Sequence, residues 1–334
     1  MAVSTLVILG IVICVFQPIT IIANLLTIVA FMKVRTLQNH TSNLLIFALS
    51  IADFVTGIYV LLHIGIPFAF SLRPPLGEIG CMMSVPLDNI YITSNLILVA
   101  ISIDRVLLVS MDYSKYVKLI TKFRLQSIIV TLFLFGQIPT VIDLSLWNYA
   151  KENNAKAASI NFKELCHYPS RRMKSVGIYV YVCLFLFPLF LIGILSIIFV
   201  KRLLIRINTS RRIRPEPQNQ ENNRHAIVNQ DEIPRAPASE EETTKKRYVK
   251  PAVTLAALVL AMSISMLPFC SYHIVESLTG LKNTKLTYAT YLMLQLNPLL
   301  DPLFFAATQK GIREYYGAKI RAWSRAFAAF LNYN

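Results

Sequence analysis

Long apolar runs separated by short polar stretches set the layout of this chain. Seven such runs cover residues 4–31, 42–69, 82–108, 125–147, 176–200, 251–279 and 286–306. A hydrocarbon core about 30 Å thick takes roughly 20 predominantly apolar residues per helix, and each run meets that length. One run of this kind fits the core of a soluble domain; seven predict a polytopic helical membrane protein. The first run has no basic residue ahead of it, and Lys33 and Arg35 follow directly. It is also far longer than the apolar part of a signal peptide, so it is expected to remain as a spanning helix with almost no tail before it. No repeat at solenoid period is visible.

Composition agrees. The chain has 334 residues, of which 55% are hydrophobic and 15% charged, whereas soluble domains carry about a quarter charged residues. The positive charge is one-sided. The loops after runs one, three and five and the segment after 306 carry 24 of the 33 Lys and Arg residues. That side is expected to be cytoplasmic, which puts the N-terminus outside. The net charge of +15 thus reports membrane topology rather than nucleic-acid binding. Residues 1–320 form the expected membrane domain and 321–334 a cytoplasmic tail. Within it, 201–250 reads as a long cytoplasmic loop whose polar, Pro-containing part, 215–244, is expected to be disordered. Basic flanks at 201–214 and 245–250 either hold the helices against anionic headgroups or form a docking surface for a partner.

Polar residues inside the runs are the candidates for function, because a charged group at bilayer depth costs about 2.5–3.5 kcal/mol or more. Asp53 lies midway along the second run and Asp301 within the seventh, with Asn24, Ser94 and Asn297 at comparable depth. Two acids with amide and hydroxyl oxygens at one level suggest a cation-holding cavity; the alternative is protonated acids acting as structural hydrogen-bonding groups. Pro188, Pro268, Pro298 and Pro302 fall in runs five to seven, where each removes a backbone hydrogen bond and permits a kink. Asp104 and Arg105 end the third run side by side among Ile, Leu and Val.

In order along the chain stand Asn24 in IANLLTIVAF, Asp53 in LSIAD, Cys81 and IDR at the two ends of run three, Pro188, LPF around Pro268, and DPLFF from Asp301. A basic amphipathic stretch, QKGIREYYGAKIRAW, follows. Over residues 5–320 this resembles the rhodopsin-like (class A) G-protein-coupled receptors, and more weakly their amine and acetylcholine group. The resemblance implies an all-α membrane protein: a seven-transmembrane helix bundle with a short amphipathic cytoplasmic helix after the seventh span. It implies that Asp104 holds Arg105 in the resting state and that Arg105 contacts a heterotrimeric G protein on activation. It also implies an extracellular disulfide between Cys81 and Cys166, with Cys14, Cys183 and Cys270 reduced. The 24 residues from Cys81 to Arg105 give about 36 Å of helix, enough to cross the hydrocarbon. No cofactor is implied; a sodium ion is the one non-protein component that Asp53, Ser94, Asn297 and Asp301 would hold.

The chain departs from that pattern at Met266 in place of a Trp, at Phe305 in place of a Tyr, and at Ser196 where a Tyr is usual. The ligand is ambiguous. Asp88 stands seven residues after Cys81, as the amine anchor of the family does, yet only 17 before Arg105 instead of 18. By the second count Leu87 takes the anchor position and Asp88 is turned about 100° away. Tyr91, Phe269, Tyr272, His273 and Tyr291 are candidate pocket residues, and an aromatic wall among them suits a cation. The basic loop 145–175 instead favours an acidic peptide or small anion. The reading is a plasma-membrane receptor for a biogenic amine or acetylcholine-like cation, with a neuropeptide-type receptor as the alternative and an ion-coupled transporter as a weaker one. The seventh run has no Lys for a retinal Schiff base, which excludes an opsin. His63 has no nucleophile or metal-ligand set around it in sequence, so no enzyme is expected. The sequons at Asn39 and Asn208 fall on the predicted cytoplasmic side, where they would stay unmodified.

Overall fold

A computed structural model of the protein describes residues 5–70, 86–87, 89–142, 144–145, 182, 186–212, 240–281 and 283–331. Among these residues all regular structure is helical. Helix α1 runs Thr5–Lys33. Helix α2, Asn43–Val60, continues through a π turn at Leu61–Gly65 into a closing turn at Ile66–Ala69. Then come α3 (Ile90–Ser110), a short α4 (Tyr113–Leu119) and α5 (Lys122–Gly136). They are followed by α6 (Phe187–Arg212) and α7 (Glu240–Thr279). Last come α8 (Thr284–Leu294), α9 (Leu296–Thr308) and α10 (Lys310–Leu331).

Among the described residues six helical stretches are long and apolar enough to cross a membrane: Val7–Lys33, Asn43–Ala69, Ile90–Ser110, Lys122–Ile142, Phe187–Ile205 and Val259–Thr279. The expected seventh span, 286–306, is divided at Gln295 into α8 and α9. Pro298 is the reason. It has no N–H to offer the carbonyl of Leu294, and it sits in the first turn of α9, where a missing donor does no harm. Placed end to end, residues 284–308 still cover about 37 Å, so the interrupted pair crosses as one unit.

The bundle is polar inside and apolar outside. Asn24, Asp53, Ser94, Asn95, Asn297 and Asp301 are all buried, while Phe187, Phe190, Ile197, Leu134 and Val141 are exposed on its flanks. This suits a lipid surround, in which ionisable groups face the bundle interior. Asn24 shows how the helices are tied. Its Nδ2 donates to the carbonyl of Pro298 at 2.9 Å, the carbonyl that Pro302 cannot serve because it lacks an N–H. One amide thus staples α1 to α9 and repairs the proline gap. Close helix approach is set by glycine: a Cβ on Gly10 of α1 would lie 2.1 Å from the backbone nitrogen of Ala69. Gly280 ends α7 at φ +73°, its N–H bonded to the Glu276 carbonyl at 2.8 Å, a left-handed stop that glycine favours.

Three boundaries differ from the sequence expectation. Helix α6 continues past 200 to Arg212, into the basic stretch. Helix α7 starts at Glu240 rather than 251, so residues 240–244, expected to be disordered, are helical. Its polar N-terminal half extends a helix that is already nucleated by the apolar half, since propagation costs far less than nucleation. The amphipathic helix after the seventh span is likewise not short. It runs to Leu331, through most of the expected tail, and exposes Ile320, Trp323, Phe327 and Phe330. Their spacing of three and four residues puts them on one face.

Candidate functional site

Near the end of α3, Asp104 and Arg105 are buried, at 3% and 9% exposure. Arg105 Nε lies 3.7 Å from Asp104 Oδ2. The other carboxylate oxygen is held from two elements. Tyr116 of α4 donates its hydroxyl to Asp104 Oδ1 at 2.6 Å, and Ser42, the residue before α2, donates at 3.4 Å. The Ser42 and Tyr116 hydroxyls are themselves 2.6 Å apart. Burial, then the Asp104 charge and hydrogen bond, push the Tyr116 phenol above its ordinary pKa. It therefore stays a donor at neutral pH. Neither Ser42 nor Tyr116 is marked in the sequence as part of this group. The turn at Met111–Asp112 folds α4 back under α3 and brings residue 116 to residue 104.

Beside this cluster, Val109 of α3 packs with Phe199 and Leu203 of α6, and Val259 of α7 lies against them. Helices α3, α6 and α7 thus meet in a small apolar clasp. Ser196, one turn earlier on α6, bonds its own backbone at the Ile192 carbonyl, 2.7 Å away.

Deeper in the bundle, Ser94 of α3 donates to Asp53 Oδ1 at 3.3 Å. The carboxyls of Asp53 and Asp301 are neighbours. Asp53 Oδ2, both Asp301 oxygens and Asn297 Oδ1 are buried with no hydrogen-bond partner. Asn297 lies one turn before Asp301 on α9. Adjoining carboxylates in a water-poor interior repel one another, and these unpaired oxygens form a hard donor set of the kind that suits an oxygen-preferring cation. The residues present fit a small cation. Among the described residues no group of three His, Cys, Asp or Glu side chains could hold a metal ion.

Toward the opposite end, the aromatic candidates divide. Phe269 and His273 of α7 meet edge to face at 4.5 Å, Tyr272 lies 5.3 Å from His273, and Tyr291 of α8 lies 6.5 Å from Phe269. Tyr91 points elsewhere: its hydroxyl donates to Gln295 Oε1 at 2.7 Å, and Gln17 Nε2 of α1 donates to the same oxygen at 2.9 Å. Gln17 and Gln295, absent from the sequence reading, tie α1 and α3 to the break in the seventh span. Tyr272 is also engaged at the start of α8, accepting from the Asn283 N–H at 2.9 Å and from the Thr287 hydroxyl at 3.0 Å. Glu276, one turn beyond His273, pairs with it at 3.0 Å. Asp88, Cys81 and Cys166 lie outside the described residues. Leu87, the competing occupant of the anchor position, packs against the buried cluster. Cys14 and Cys270 are free thiols.

At the α10 end, Tyr316 donates to the Ala23 carbonyl at 2.5 Å and shares a 2.7 Å hydrogen bond with Thr27. This clasps α10 onto α1, and burial raises the phenol's pKa.

A comparison with curated proteins gives no match. The family model described as "7 transmembrane receptor (rhodopsin family)" matches residues 23–305, a range that holds Asn24, Asp53, Asp104, Arg105, Asp301 and Pro302. With a helical bundle whose polar residues face inward and that stretch matched, the chain belongs to the rhodopsin family of seven-transmembrane receptors, a multi-pass membrane receptor and not an enzyme.

Proposed function

We propose that this receptor carries the signal of an extracellular ligand across the plasma membrane to a heterotrimeric G protein, with its N-terminus outside. The observation that supports coupling most strongly is the hold on Arg105. Its partner Asp104 is fixed by Tyr116 and Ser42, donors on two other elements, beside an apolar clasp between α3, α6 and α7. If α7 swings outward, the clasp loses Val259 and Arg105 gains access to the cytoplasmic face. The basic flanks at 201–214 and 245–250 then provide the docking surface, and α10 lies along the headgroups with its aromatic face in lipid.

The ligand is a cation of the biogenic amine or acetylcholine class. The grouping of Phe269, Tyr272, His273 and Tyr291 supports it, since aromatic faces attract ammonium groups; Asp88 is the first candidate counter-ion. Asp53, Ser94, Asn297 and Asp301 hold a sodium ion in the resting state. When bound, the ion neutralises the acid pair.

The test is a signalling assay in cells expressing the chain with a promiscuous G protein, screened with amines and with peptides. An amine response that Asp88→Asn abolishes at unchanged surface expression supports the amine reading with Asp88 as anchor. A response to peptides alone removes the amine reading and favours the peptide-receptor alternative.

A further inference from the structure

Along α6, on the turns beside its clasp with α3 and α7, a cavity of about 540 Å³ is lined by Ser196, Ile197, Val200, Lys201, Leu204 and Ile205. At 100° per residue these positions form two adjoining rows, 196–200–204 and 197–201–205, while Phe199 and Leu203 on the same turns face the clasp. Ser196 brings little polarity to the space, because its hydroxyl bonds the Ile192 carbonyl of its own helix. The other lining residues are aliphatic, apart from Lys201. Among the described residues Lys201 forms no ion pair. Yet it lies inside the apolar stretch Phe187–Ile205, four residues before its end. A cation at that depth takes an anionic partner or reaches along its stem for the headgroups.

An occupant of this cavity must be apolar over most of its length and negative at one end, and it must enter from within the bilayer. We infer that the cavity holds an anionic phospholipid in the leaflet that meets the Arg105 end of the bundle. Its headgroup sits on Lys201 and its glycerol region against Leu204 and Ile205, and an acyl chain runs toward the midplane along Val200 and Ile197. Basic pockets at membrane helices recognise anionic headgroups by this combination. The first residue of the 201–214 flank is thereby assigned to lipid, and the rest of the flank stays available for docking. The site does not depend on which extracellular ligand the receptor takes. Because Phe199 and Leu203 share its turns, a lipid seated here bears on the contact between α6 and α7.

The experiment uses the full-length receptor in nanodiscs of phosphatidylcholine containing about one part in ten of phosphatidylserine. A benzophenone side chain placed at Ile197 is photoactivated, and the lipids it captures are identified by mass spectrometry. The same side chain at Phe190, exposed on the same helix but not lining the cavity, samples the surrounding lipid. Phosphatidylserine is expected about fivefold above its bulk ratio at Ile197, the size of effect for one lysine near an anionic surface, and at its bulk ratio at Phe190. Lys201→Gln should remove the enrichment and Lys201→Arg should keep it. A bulk ratio at Ile197 with Lys201 in place overturns the site, as does an enrichment that survives Lys201→Gln. Equal enrichment at Ile197 and Phe190 also overturns it, since the whole chain would then be gathering anionic lipid without a site.

Discussion

Removing the Tyr116 hydroxyl should release Arg105 without touching either charged residue. In Tyr116→Phe the ring remains in its buried place, but Asp104 Oδ1 loses its 2.6 Å donor and Ser42 loses its 2.6 Å neighbour. A hydrogen bond to a charged group contributes about 1.5–3 kcal/mol. The weaker Ser42 contact at 3.4 Å can move in and recover part of that, which favours the lower half of the range. If the bond exists only in the resting state, losing about 1.5 kcal/mol shifts the balance between resting and active forms roughly tenfold. A receptor with 1% of its molecules active would then have about 10% active. The assay is basal signalling without ligand, normalised to surface expression, with Ser42→Ala as a second variant that should produce a smaller rise. Basal signalling equal to wild type in both would refute the reasoning, because it would mean that the bond to Asp104 is kept or is worthless in both forms.

Other expectations follow from the same geometry. Asn24→Ala leaves the Pro298 carbonyl buried and unserved, so it should cost about 1–3 kcal/mol, read as a lowered thermal midpoint in detergent. Sodium chloride should stabilise the wild type over potassium chloride in the same measurement, and Asp53→Asn or Asp301→Asn should abolish that difference; a sodium effect that survives both variants removes the ion from this site. Gly10→Ala drives a Cβ into the backbone of Phe68 and Ala69; a helix cannot yield there as a flexible side chain would, and a loss of about 1–3 kcal/mol is expected in thermal unfolding.

The spans were legible because a run of apolar residues is a local signal and lipid makes it a sufficient one. The meeting of Asp53, Ser94 and Asp301 was legible for a similar reason: polar residues at one depth in a bundle have nowhere to face but each other. The break at Gln295 was not, although Pro298 marks it, because Pro268 stands in a run that reads the same way while α7 continues through it. The donors to Asp104 were hidden by the turn before α4, a feature of backbone direction that hydropathy does not encode. Tyr91 illustrates a contact that the sequence does not show. Its position on α3 suggested a ligand wall, but Gln295 claims its hydroxyl, and a glutamine in an apolar run looks at sequence level like a minor interruption.

The central claim is that Arg105, once freed, drives nucleotide exchange on a G protein. The direct measurement is GTP binding by purified G protein mixed with ligand-free receptor in nanodiscs, comparing the wild type, Tyr116→Phe, and Tyr116→Phe combined with Arg105→Ala. Exchange should be faster with Tyr116→Phe than with the wild type, and should return to the rate of G protein alone when Arg105 is also removed. Exchange that stays fast in the double variant would contradict it.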